Sequence, residues 1–131
     1  MALVMTNNGE LIALTYLTNK SGSTENLVYR LFTNNITPSE TDTAATYTEA
    51  SGSGYVAIPA TGASWTITPG SPTTAVYPQM TYTFTGALPT IYGYYVTRQS
   101  TGDLVLAETF TSFTPTNNGD NLKLTPQITA E

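Results

Sequence analysis

The chain has 131 residues, of which 40% are apolar and only 10% charged. That length supports one domain, residues 1–131, with a hydrophobic core of its own, and the apolar content excludes a chain too polar to fold. Four Lys/Arg stand against nine Asp/Glu for a net charge of −5, and the cations Lys20, Arg30, Arg98 and Lys123 are scattered, which excludes the clustered positive charge that nucleic-acid binding requires.

The first predicted element runs from Thr6 to Lys20. Asn7 is placed to cap a helix with Glu10 as its capping-box partner, and Leu11, Leu14 and Tyr16/Leu17 recur at near-helical spacing. Leu11 to Thr18 also alternates as a strand would; helix is the preferred reading, since short apolar runs are not assigned by period alone. A polar loop over Ser21–Glu25 leads to a strand over Asn26–Thr33, apolar on both faces as a central strand is. Asn34–Ala45 is a loop, and Tyr47–Glu49 a short strand. Ser51–Gly54 is a turn, and Tyr55–Ile58 a strand stopped by Pro59. Trp65–Ile67 is followed by the turn Thr68–Pro72 and then by the long alternating stretch Ala75–Thr85, in which Pro78 marks an edge or bulge. Thr90–Thr97 and Leu104–Thr111 form a hairpin around the turn Ser100–Asp103. After the turn Asn117–Asp120 comes a last strand, Asn121–Gln127. About eight strands at this spacing, rich in the 27 threonines and nine tyrosines that favour a pleated surface, predict a mostly β fold. The expected form is an antiparallel β-sandwich, with a jelly roll as one variant, preceded by one short N-terminal helix.

Cysteine and histidine are both absent. No disulfide framework or thiolate metal site can form, and the commonest acid–base group and metal ligand is missing. The opening Met1–Met5 is too short for a signal sequence, and no window approaches a membrane span; the expectation is a protein made in a cytoplasm. Both chain ends, Met1–Asn8 and Pro126–Glu131, are expected to order only on contact with neighbours.

Glu49 and Glu108 are the best candidates for a two-carboxylate glycosidase, although a lone strand carboxylate is more often solvated or paired with arginine. Asn117, Asn118, Asp120 and Asn121, and separately Ser39, Glu40 and Asp42, offer oxygen ligands for calcium without the spacing of a known loop. Asn19-Lys20-Ser21 and Asn35-Ile36-Thr37 match the glycosylation pattern, as chance matches do in so threonine-rich a chain. Trp65, Tyr92, Tyr94 and Tyr95 are read either as core aromatics, as subunit contacts, or as a sugar-stacking platform. On balance the residues point to a non-enzymatic chain with no cofactor and no resident metal.

Several segments resemble a group of small tailed-bacteriophage virion proteins. They are Leu27–Phe32 with Thr33-Asn34-Asn35-Ile36-Thr37-Pro38, Asp42–Ala45, Tyr47–Glu49, Gly54-Tyr55, Trp65, Ile91–Val96, and Ala107-Glu108 before Phe110. The similarity spans about residues 9–128 and rests on structural words rather than catalytic ones. It implies a virion structural protein, of which some are head decoration (cement) proteins. These bind the outside of the capsid where major capsid protein subunits meet, often as homotrimers. No catalytic residues come with the resemblance. On this reading Trp65, Tyr92, Tyr94 and Tyr95 are candidate subunit or capsid contacts and the location is the virion surface. The alternative is a tail or fibre component that binds a host-surface glycan.

Overall fold

The computed structural model describes residues 3–18 and 25–130. Ten antiparallel strands form three sheets, with one helix near the N-terminus. In chain order the elements are β1 (Val4–Met5), α1 (Asn7–Leu17), β2 (Leu27–Phe32), β3 (Ile58–Ala60), β4 (Thr66–Thr68), β5 (Thr73–Val76), β6 (Met80–Thr83), β7 (Ile91–Arg98), β8 (Leu104–Phe113), β9 (Asn121–Leu124) and β10 (Gln127–Ala130). The large sheet has the order β1-β8-β7-β2-β3; β10-β5-β4 and β6-β9 are the smaller two. No sheet among the described residues closes into a barrel.

The mostly β, antiparallel class is the one expected, with ten strands instead of eight. Two long runs were each divided by a proline. Ala75–Thr85 becomes β5 and β6, in different sheets, with Pro78 between them; Asn121–Gln127 becomes β9 and β10, with the buried Pro126 between them. A proline lacks the N–H that a ladder needs, so the chain leaves one sheet and joins another. Pro59 does not stop its strand but lies inside β3, opposite Val28. β3 is the sheet edge, where a missing N–H costs no ladder bond. Tyr47–Glu49 contributes only the single bridge Phe32–Glu49. Near the two ends of the described residues, Val4 and Met5 pair with Ala107 and Leu106 of β8, and β10 pairs along its length with β5.

The helix reading holds, with a different cap. Thr6 is the N-cap, and its Oγ1 accepts the Gly9 N–H at 3.1 Å while donating to the Leu104 carbonyl at 3.0 Å. One hydroxyl thus closes the first turn of α1 and fastens it to β8. The polar stop proposed at Asn19–Gly22 lies outside the described residues.

The core sits between the large sheet and the smaller two. Tyr29 and Leu31 of β2, Tyr94 and Val96 of β7, and Leu106 of β8 meet Met80 and Tyr82 of β6, with Leu122, Leu124 and Ile128 packed against them. A second cluster fills the other face of the large sheet, where Tyr47 covers Phe32, Tyr95 and Ala107. β7 is buried on both faces, as its run of apolar and aromatic residues requires. Its pairing with β8 is interrupted twice, between Ile91 and Gly93 and between Val96 and Thr97. At the first break the backbones close in on Phe32: a Cβ at Gly93 would overlap the Glu108 carbonyl oxygen and lie 2.7 Å from Phe32 Cζ. Gly93→Ala is therefore expected to destabilise the fold by about 1–3 kcal/mol or more, read as a lower midpoint in urea-induced unfolding with an unchanged slope.

Candidate functional site

Alternation along β7 separates the tyrosines that the sequence places side by side. Tyr94 lies opposite Leu31 and Glu108 on the core face, and Tyr95 lies opposite Arg30 and Ala107 on the other. They are 3% and 4% exposed. Neither presents a surface to a partner in this fold, which corrects their assignment as contact residues. Tyr92 is half-buried against the second cluster. Trp65 is half-buried and packs edge-on against Tyr77, with ring centroids 5.2 Å apart. The four aromatics form no common platform.

Of the four, Tyr94 alone joins a row of tyrosines through the core. Tyr55 stacks on Tyr82 at 6.1 Å, the Tyr82 hydroxyl donates to the Tyr29 carbonyl at 3.0 Å, and the Tyr29 and Tyr94 rings lie 5.5 Å apart. Each end of the row meets a carboxylate. Tyr94 donates to Glu108 Oε2 at 2.7 Å, and Tyr55 donates to Glu49 Oε1 at 3.0 Å while accepting the Leu31 N–H at 3.1 Å. Glu49 also takes both oxygens to Arg30 Nη1, at 3.1 and 3.2 Å, and Arg30 Nε donates to Thr97 Oγ1 at 3.0 Å. Each proposed glycosidase carboxylate is thus an acceptor at one end of this row. Glu108 is on β8 and Glu49 bridges the far side of β2, with β7 between them. Three strand spacings of about 4.8 Å put their backbones roughly 14 Å apart.

In the calcium candidates the aspartates already have partners within their own turns or beside them. Asp120 accepts the Thr116 and Asn117 N–H groups at 2.8 and 2.9 Å, which hold its pKa below the ordinary aspartate value. Asp42 accepts the Ser39 N–H and, at 2.7 Å, the Tyr47 hydroxyl. Among the described residues no three acidic groups gather as a metal site. Of the two glycosylation matches, Asn35 is exposed and Asn19–Ser21 lies outside the described residues.

The surface feature that residue patterns did not identify is on α1. Leu11, Leu14 and Leu17 are 63%, 59% and 81% exposed. The helix lies on β8 through Gly9, where a Cβ would overlap the Val105 carbonyl oxygen, and through the half-buried Ile12. That contact turns the leucines outward. Val56 and Ile67 are also exposed, Ile67 in the fully exposed strand β4. A second apolar feature is a groove of about 440 Å³ at the far end of β8, lined by Phe110, Phe113, Leu122 and Leu124, with Lys123 beside them. No helix among the described residues is long and apolar enough to cross a membrane. No protein-family model, curated protein or solved structure matches this chain.

The tyrosines packed against the two faces of the large sheet have a pH signature. Burial raises the pKa of Tyr29, Tyr47, Tyr55, Tyr82 and Tyr94 well above the usual phenol value, and that of Tyr95 to about 12. Nearby carboxylates add to the effect. Below the unfolded-chain value of about 10 these phenols are neutral in both states and their contribution is fully present. As pH rises further, the unfolded chain ionises first, so the stabilisation is progressively lost toward the folded-state values. Unfolding free energy is expected to be insensitive to these groups up to about pH 9 and to fall steadily above about pH 10. A phenolate absorbance titration should show these six ionising late, or together with unfolding.

Proposed function

We propose that this chain is a virion structural protein of a tailed bacteriophage. On this reading it is a head decoration (cement) protein that binds the outside of the assembled shell where major capsid subunits meet, as a homotrimer, and carries out no catalysis. The observation that carries the reading is the exposed apolar set on α1, placed on a surface poor in charge. Large apolar side chains left on a rigid β fold suit permanent contact with other subunits. The resemblance over residues 9–128 points the same way. The engagement of Arg30 with Glu49 and of Arg98 with Glu25 supports a partner other than nucleic acid, since both guanidinium groups are already paired.

The physical gain is one of mass action. A protein that binds only the assembled shell stabilises it in proportion to the logarithm of its free concentration over the dissociation constant. Virions carrying the chain are expected to show cryo-EM density at capsomer junctions that fits this fold, and to release their DNA at a higher temperature than virions lacking it. Density confined to the tail would overturn the reading in favour of a fibre component.

A further inference from the structure

The leucine face of α1 is hard to explain within one copy. An isolated helix of 11 residues is marginal in water, and helices of this length persist by burying an apolar face. Here the sheet covers Gly9 and part of Ile12 and Tyr16, while the larger apolar side chains face solvent. At 100° per residue, Leu11, Leu14 and Leu17 fall on one arc, and the exposed Glu10 lies on the same arc. The exposed face is therefore an apolar stripe with one negative charge and, among the described residues, no basic side chain in the helix.

The groove at the other end of β8 has the complementary character. Its lining is mostly apolar and aromatic, with Thr111 and Thr125 among it, and it carries Lys123. Among the described residues Lys123 is the one cation with no ion pair, because Arg30 and Arg98 are bound to Glu49 and Glu25. We propose that copies of this chain associate head to tail, the leucine face of α1 in one copy seating in the Phe110–Leu124 groove of the next, with Glu10 facing Lys123.

One copy does not satisfy itself. α1 lies against Val105, and the groove runs from Phe110 to Phe113, roughly 17 to 27 Å along the strand at about 3.4 Å per residue. Pairing α1 with α1 across a two-fold axis would seat two negative faces together with no cation between them. Helix into groove joins unlike surfaces, and repetition of such a contact closes a ring when the rotation permits. The inference rests on the preceding reading for the number of copies alone and uses nothing of its capsid component.

Sedimentation velocity on the full chain tests it. The wild-type protein is expected to sediment as one closed oligomer, and Leu14→Asp as a monomer with unchanged circular dichroism. Because Glu10 and Lys123 are exposed, Glu10→Lys and Lys123→Glu should fold normally, and each should weaken association about two- to tenfold. The double variant should recover wild-type affinity. A monomeric wild type overturns the proposal, as does an oligomer that survives Leu14→Asp. So does dissociation by Leu14→Asp with no effect of charge reversal at either position and no rescue in the double variant. An oligomer with the expected variant behaviour but no density on a virion sinks only the capsid reading; capsid density from a monomeric protein sinks this proposal and the trimer and leaves the capsid location standing.

Discussion

The structure is organised by a strand that has no solvent-facing side. Along β7, Ile91, Tyr94, Tyr95, Val96 and Thr97 are all buried, so both faces of the central ladder must be covered by other parts of the chain. The two small sheets cover one face. The segment between β2 and β3 covers the other, with Tyr47 stacked on Tyr95 at 5.0 Å. Burying apolar area on both sides supplies the main favourable term of folding, and it imposes a second requirement. Tyrosine rings taken into a core bring hydroxyls, and an unpartnered buried hydroxyl is costly.

Glu49, Glu108, Asp42 and the backbone meet that requirement. Among the described residues no buried side-chain nitrogen or oxygen lacks a partner. This accounts for the use of three of the nine acidic residues: each accepts a hydrogen bond from a tyrosine hydroxyl at the margin of the core. A carboxylate and a phenol in one site invite an enzymatic interpretation, and here the same pair satisfies the hydrogen bonding of a buried aromatic. The exposed apolar side chains lie elsewhere, on α1 and β4.

Much of the fold was legible from local pattern. β2, β7, β8 and the turn between β7 and β8 follow from alternation bounded by Gly, Asp and Ser, because side-chain period and turn chemistry act over a few residues. The two-residue β1 was not legible, since a pair of apolar residues carries no period. The candidate site was legible only in composition. Tyr94 and Tyr95 were recognised as aromatic and adjacent, but adjacency in a strand means opposite faces, and both faces of β7 proved to be covered. The leucines of α1 were recognised as a helical stripe, without the direction of that stripe.

By itself, then, the sequence determined the class of backbone and its chemical repertoire: β-branched and aromatic residues set strands, prolines divided them, and the lack of thiol and imidazole narrowed the available chemistry. Which surfaces remain open was decided only in three dimensions. Gly9 has no side chain, so α1 approaches β8 on that side and presents Leu11, Leu14 and Leu17 to solvent. Burial is a property of what lies opposite a residue, and for this chain the opposing element is about a hundred residues away.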